Sequence, residues 1–196
     1  VKAKGLENSE YDANVLNSFS DLSSISSDRI KYIAIAIEKG YMNGNADGSF
    51  KVLIFADVHM NGGAGDVKIN AAKEKIKLLV DREKPNLVIL TGDNTLYSRL
   101  PEYLKSNVAA IVGYLEENKI PWCHVYGNHD HEHALSKEEQ QKIYESFEYC
   151  ISKDVEELSG VGNYVHGVWN ADGSLGSVIY CLDSGAYDHE KGGYDY

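Results

Sequence analysis

Three short apolar runs, each followed at once by a cluster of metal-capable side chains, constrain this chain more than any other feature. Val52-Leu53-Ile54-Phe55-Ala56 runs into Asp57-Val58-His59, Leu87-Val88-Ile89-Leu90 runs into Gly92-Asp93-Asn94, and Trp122 to Tyr126 runs into Gly127-Asn128-His129-Asp130. Apolar runs of this length with polar ends read as strands buried on both faces, the form that parallel sheets require. The steps are nearly equal, 36 residues from Asp57 to Asp93 and 35 from Asp93 to Asn128. Each step has room for one helix and two turns. Ile69 to Glu83 sets Ile69, Ala72, Ile76, Leu79 and Val80 on one side at helical spacing, and Tyr103 to Asn118 does so with Val108, Ile111, Val112 and Leu115. Strands separated by helices predict the α/β class, here a βαβαβ parallel sheet with right-handed crossovers. Ligands of such sheets bind outside the carboxyl ends of the strands, so all three clusters should meet along one edge.

Downstream, Ser136 starts a further helix with Glu139 three residues on, the pattern of a capping box. Asn163 to Trp169 and Ser177 to Leu182 read as a hairpin around Asn170-Ala171-Asp172-Gly173-Ser174, the start of a second sheet. Upstream, Val1 to Ser18 is polar and without period. Asp28 is placed to cap a helix through Ile30, Ile33, Ala34, Ile37 and Glu38 that ends at Gly40. Asn43 to Gly48 is a dense turn signal.

Composition narrows the function. The 196 residues are 43% apolar, enough for one packed core. The net charge of −11 counts against extended nucleic-acid binding, which needs a basic face. It does not exclude a phosphate substrate, because bound cations can supply positive charge. No apolar run is long enough to span a membrane. Cys123, Cys150 and Cys181 are too few and too scattered for a disulfide framework, and no CxxC pair suggests structural zinc.

Carboxylate, imidazole and amide oxygen together suit Mn, Fe or Zn rather than a thiol-preferring ion. Asp57 and His59, two residues apart at a strand end, can reach one ion. Asp93 has two oxygens with which to bridge a pair, and Asn128 brings a neutral oxygen to the second. Two ions about 3.5–4 Å apart can hold a phosphate and activate a water. Each cluster alone is weak evidence: Asp-x-His occurs at ordinary strand ends, Gly-Asp marks many turns, and Gly-Asn-His-Asp could be a capped loop. Their joint occurrence, in order and each after a buried strand, carries the metal-site expectation.

Asp57-x-His59, Gly92-Asp93 and Gly127-Asn128-His129-Asp130 resemble the motifs of the calcineurin-like metallophosphoesterases, over roughly Phe50 to Tyr196. Gly162-Asn163-Tyr164, Leu182-Asp183-Ser184-Gly185 and Gly192-Gly193-Tyr194-Asp195 resemble the purple-acid-phosphatase-like branch. The resemblance implies a sandwich fold, present here in part, and two metal ions. It implies that Asp57 and His59 bind the first metal, that Asp93 bridges and that Asn128 binds the second. His129 would stabilise or protonate the leaving oxygen without being a ligand, and Asp130 would orient its loop. Purple enzymes place a tyrosine ligand where Leu96 stands, so a purple Tyr–Fe(III) site is not expected. Leu96 also cannot support His129 as the aspartate of related protein phosphatases does. The family's later His and Gly-His-x-His motif are absent. His124 is expected in the core, His131 and His133 as solvated loop residues, His166 in the hairpin and His189 in a polar loop. The chain stops within what the resemblance implies is one domain, so a truncated chain is expected.

Residues 19–50 resemble one S-layer homology repeat, through Phe19, Asp21, Tyr32, Ala34-Ile35, Gly40, Gly44 and Asp47-Gly48-Ser49-Phe50. Such repeats imply attachment to cell-wall polysaccharide and an exported, wall-associated protein. The expected organisation is therefore a helical leader over residues 1–50 and the N-terminal part of a metallophosphoesterase domain over residues 51–196. The expected activity is hydrolysis of a small phosphate ester by a hydroxide held between two metal ions. The competing expectation is a wall-attached binding module with an incomplete or inactive phosphoesterase fold.

Overall fold

The computed structural model describes residues 10–12, 14, 30–31, 34–35, 49–62, 66–155, 158–170, 174–187 and 192–193. The chain divides into two compact units, one of residues 1–49 with 165–180 and one of residues 50–164 with 181–196. In the larger unit, strand β1 (Val52–Phe55), helix α1 (Val67–Glu83), strand β2 (Leu87–Thr91), helix α2 (Pro101–Glu117), strand β3 (Trp122–Val125) and helix α3 (Lys137–Glu145) follow one another. The strands form a parallel sheet in the order β1-β2-β3, with Val52 opposite Leu87 and Val88 opposite Trp122. This is the expected α/β arrangement. Strands taken in sequence order, joined by crossovers of one hand, put successive helices on the same face. Accordingly α1 lies against α2, and α2 against α3.

Helices α1 and α3 start where a side chain supplies a cap, and α2 starts at a proline. Asp66 accepts the Lys68 N–H at 2.7 Å ahead of α1, and Lys84 closes that helix in the left-handed conformation. Pro101 opens α2 with a preset φ. Ser136 and Glu139 form both halves of the capping box of α3. The core holds Val88, Leu90, Leu104, Val108, Val112, Leu115 and Trp122, none of them measurably exposed. Glu116, on α2, accepts the Trp122 indole N–H at 2.6 Å and the Tyr149 N–H at 3.0 Å, which fastens β3 to the segment after α3.

Two expectations change. β2 is buried along Leu87–Leu90, but β1 is not buried on both faces: Val52 and Ile54 are 38% and 58% exposed. β1 lies at an edge of the sheet, and Val52 and Ile54, two residues apart, lie on the face of it that stays open. His133 is not a solvated loop residue but is buried, taking the Ser98 N–H on Nδ1 at 2.8 Å and meeting the Thr95 hydroxyl at 3.1 Å. His124 is a core residue, stacked on Tyr144 with ring centroids 3.7 Å apart. Ser152 Oγ accepts the His124 N–H at 2.9 Å and also meets its Nδ1 at 2.8 Å.

The three cysteines are buried and form no disulfide; the fold brings Cys123 beside the Cys181 thiol although 58 residues separate them. Asp183 holds its neighbourhood together. It accepts Lys137 Nζ on both oxygens at 2.8 and 2.9 Å, the Val161 N–H at 3.0 Å and the Gly185 N–H at 3.1 Å.

Strands β4 (Tyr164–Trp169) and β5 (Leu175–Cys181) pair in a separate two-stranded sheet, as the hairpin pattern predicts. At its turn the Asn170 N–H donates to the Ser174 carbonyl at 2.8 Å. His166 lies within β4. Of the upstream helix expected from Asp28 to Glu38, Ile30, Lys31, Ala34 and Ile35 are helical and the last two are buried. The rest of that helix, the Asn43–Gly48 turn, His189 and Tyr194-Asp195 lie outside the described residues. Among the described residues, no helix is long and apolar enough to cross a membrane.

Candidate metal centre

The loops leaving β1 and β2 run side by side beyond the sheet. The His59 N–H donates to the Asp93 carbonyl at 2.9 Å and the Met60 N–H to the Asn94 carbonyl at 2.9 Å. Parallel pairing resumes at Met60 and Thr95, and the Leu96 N–H returns to the Met60 carbonyl at 3.1 Å. Between the strand ends and this bridge, the backbone turns through left-handed conformations at Asp57, His59 and Asp93, with φ of 51°, 50° and 50°. Non-glycine residues enter that region at a cost, and Asp and His are among those that tolerate it.

The turns bring Asp57, His59 and Asp93 together. Each offers a ligand atom, and these atoms all lie within 4.8 Å of one another. His59 Nε2 is 3.9 Å from Asp57 Oδ1 and 3.7 Å from Asp93 Oδ2. Two carboxylates and an imidazole at such separations are close enough to share one cation, and hard oxygen with nitrogen suits a divalent first-row ion. Asp93 is buried, whereas Asp57 and His59 face solvent, so the group is open on one side.

The third loop closes on Asp93 from β3. Gly92, with φ of +93°, passes so close to Gly127 that an added Cβ would stand 2.6 Å from the Gly127 Cα. A Cβ on Gly127 would meet the Asp93 backbone nitrogen at 2.6 Å. Neither position has room for a side chain, which is why both loops carry glycine there. Asp130 joins the two loops with one oxygen: its Oδ2 accepts the Gly127 N–H at 2.6 Å and the Asp93 N–H at 2.9 Å. Asp130 is fully buried, and burial pushes its carboxyl up to about 6 against the pull of those two N–H groups. Gln140, also buried, holds the Asp130 carbonyl through Nε2 at 2.8 Å.

His129 and Asn128 stand on this third loop. The His129 N–H donates to Asp93 Oδ1 at 2.8 Å, leaving Asp93 Oδ2 toward His59. The His129 ring meets the His59 ring edge-on, centroids 5.8 Å apart. Its Nδ1 is 2.8 Å from Glu132 Oε1, and that carboxylate holds the imidazole above its ordinary value. Glu132, three residues along in a turn of 3-10 helix (Asp130–Glu132), supplies the partner that Leu96 cannot. Sequence reasoning missed it, although the i, i+3 spacing was visible. Asn128 Nδ2 donates to the Tyr187 hydroxyl at 2.8 Å. The structure gathers Asp57, His59 and Asp93, and Asn128 stands on the adjoining loop beside His129, whose N–H bonds Asp93.

Two family models match the chain. The model of the calcineurin-like phosphoesterase family matches residues 50–193, and that of the S-layer homology domain matches residues 18–52. "Phosphatase DCR2" of Saccharomyces cerevisiae is 29% identical over 159 residues, 72% of this chain and 28% of that protein. "Probable inactive purple acid phosphatase 28" of Arabidopsis thaliana is 31% identical over 169 residues, 71% of this chain and 42% of that protein. "Probable inactive purple acid phosphatase 29" of the same plant is 28% identical over 165 residues, 73% of this chain and 42% of that protein. The chain spans less than half the length of these relatives. With the family model covering most of the chain, and the loops that hold Asp57, His59, Asp93 and Asn128 falling inside the match, the chain belongs to the calcineurin-like phosphoesterases.

Proposed function

We propose that residues 51–196 form part of a metal-dependent phosphoester hydrolase in which Asp57, His59 and Asp93 hold a first ion and Asp93 with Asn128 a second. The observation that carries this reading is the meeting of the Asp57, His59 and Asp93 ligand atoms within 4.8 Å at one edge of the parallel sheet. Mn, Fe or Zn bound there would supply Lewis-acid charge to a phosphate and lower the pKa of a water. The chain's own groups do the rest. The Asp57 and His59 side chains face solvent and leave access for a small phosphorylated substrate. His129, with Nδ1 committed to Glu132, keeps Nε2 to carry a proton toward the leaving oxygen. Asp130 reacts with nothing; it fixes the backbone that sets Asp93 and His129 in place. The test is hydrolysis of p-nitrophenyl phosphate and of its bis ester with Mn²⁺, by this chain and by any longer protein that contains it. Asp93→Asn should abolish turnover. If the metal-loaded proteins stay inert on both esters, the hydrolase reading fails.

A second reading rests on the S-layer homology match at residues 18–52. Here residues 1–50 attach the protein to a cell-wall polysaccharide on the outside of the cell, with or without hydrolysis by the adjoining domain. The names of two relatives, which call those proteins inactive, leave room for it. Co-sedimentation with purified cell-wall sacculi, lost on deletion of residues 1–49, would support it. A chain that stays in the supernatant would end it.

A further inference from the structure

A carboxamide offers a cation only its oxygen; its nitrogen carries two donors and no lone pair for a metal. An asparagine ligand must therefore be held the right way round. A rotation of its terminal torsion replaces a ligand by a repelled N–H pair. An aspartate at the same place has no such requirement, since either oxygen serves.

Asn128 is held by Tyr187, 59 residues further along the chain, whose hydroxyl accepts the Asn128 Nδ2–H at 2.8 Å. The rest of the local structure fixes both partners. The backbone on either side of Asn128 is pressed against Asp93: Gly127 has no room for a Cβ there, and the His129 N–H bonds Asp93 Oδ1 at 2.8 Å. The backbone before Tyr187 is fixed by Asp183. Its carboxylate takes Lys137 Nζ from the start of α3 and the Gly185 N–H at 3.1 Å, while its own N–H goes to Asn163 Oδ1 at 2.8 Å. Gly185 then turns with φ of +81°, two residues before Tyr187. The Tyr187 ring also meets the His131 ring edge-on, centroids 5.9 Å apart. The segment Leu182-Asp183-Ser184-Gly185, which contributes no ligand of its own, thus delivers a hydroxyl to the third loop.

We infer that Tyr187 is a positioning residue for the metal centre: its hydroxyl takes the amide nitrogen of Asn128 and so presents the amide oxygen to the second cation. This rests on the reading of Asn128 as a ligand. Partners of this kind, lying behind a ligand, commonly govern metal affinity by about ten- to a hundred-fold.

The test is Mn²⁺ binding to the metal-free full chain, followed by isothermal titration calorimetry until saturation and by electron paramagnetic resonance, with no turnover involved. Wild type should bind two ions with unequal affinity. Tyr187→Phe should weaken the weaker site about ten-fold, leaving the tighter site and the melting temperature of the metal-free protein unchanged. Asn128→Ala should remove the weaker site. In an Asn128→Asp background, the Tyr187→Phe penalty should shrink, because a carboxylate needs no orientation. If Asn128→Ala removes the site but Tyr187→Phe leaves it intact, the role of Tyr187 is wrong and the ligand reading stands. If Asn128→Ala changes nothing, or wild type binds fewer than two ions, the ligand reading falls and this inference with it. A Tyr187→Phe penalty that stays undiminished when combined with Asn128→Asp would assign the effect to packing and overturn the inference.

Discussion

Replacing Asp130 by alanine should damage the fold and the metal centre together, by an amount set by two hydrogen bonds. Asp130 Oδ2 accepts the Gly127 N–H at 2.6 Å and the Asp93 N–H at 2.9 Å, with the side chain fully buried. Alanine leaves both donors without that acceptor, the Asp93 N–H in a buried residue and the Gly127 N–H in a half-buried one. An unsatisfied buried donor costs about 1–3 kcal/mol, so two should cost about 2–6 kcal/mol. Asparagine can set its one oxygen where Oδ2 stands and keep both bonds as neutral ones, so Asp130→Asn should lose only about 1–2 kcal/mol. Urea unfolding of the metal-free chain at neutral pH, wild type against both variants, gives the three free energies on one scale. Mn²⁺ titration of the same samples reads whether Asp93 has moved, and the alanine variant should bind more weakly than the asparagine one. A loss below about 1 kcal/mol for Asp130→Ala would show that the two loops hold together without this carboxylate. Equal losses in the two variants would show that charge, rather than hydrogen-bond geometry, is what the position supplies. Either result refutes the reasoning.

Asp93→Asn should abolish tight Mn²⁺ binding with little change in melting temperature, because the amide oxygen can still accept the His129 N–H while the charge shared with Asp57 and His59 is lost. Calorimetric titration checks this, and retained affinity would move the centre elsewhere. Gly92→Ala should cost about 2–5 kcal/mol in urea unfolding, combining a side chain at φ of +93° with a Cβ only 2.6 Å from the Gly127 Cα. Acid should destabilise the chain through His124, whose imidazole burial pushes down to about 3. The unfolded chain takes up that proton near its ordinary value of about 6.5 and the folded chain refuses it, so stability present above that pH is lost progressively as pH falls toward 3. At about 1.4 kcal/mol per pKa unit the full loss is about 5 kcal/mol. Near-ultraviolet circular dichroism during acid titration should show His124→Phe unfolding at lower pH than wild type, and coincident curves would count against the argument.

Elements whose signals are local were legible in the sequence. The capping box of Ser136 and Glu139 needs only three residues of spacing, and the apolar runs of β2 and β3 announce themselves by composition. The placement of Asp57, His59 and Asp93 followed from a rule about strand ends, which needs topology but no side-chain detail. Features that depend on what lies across a loop or over a sheet were not legible. Nothing in Val52 or Ile54 says that one face of β1 stays open, because burial of an edge strand depends on its neighbours. His133 reads as a loop residue until Thr95 and Ser98, 38 and 35 residues away, are seen to receive it. Tyr187 meets Asn128 across 59 residues, beside a segment in which Asp183 takes Lys137, and no period or motif connects these places.

The left-handed turns at Asp57, His59 and Asp93 make disuse of this centre detectable. A side chain kept in that conformation costs roughly 1 kcal/mol relative to glycine, offset at Asp93 by the His129 N–H bond with or without a cation. Drift in a lineage that has abandoned the chemistry should therefore run downhill toward glycine at Asp57 and His59 first, raising thermal resistance as it goes. Aspartate and histidine at positions 57 and 59 in relatives that bind a cation, with glycine replacing them in relatives that do not, is the pattern this cost predicts.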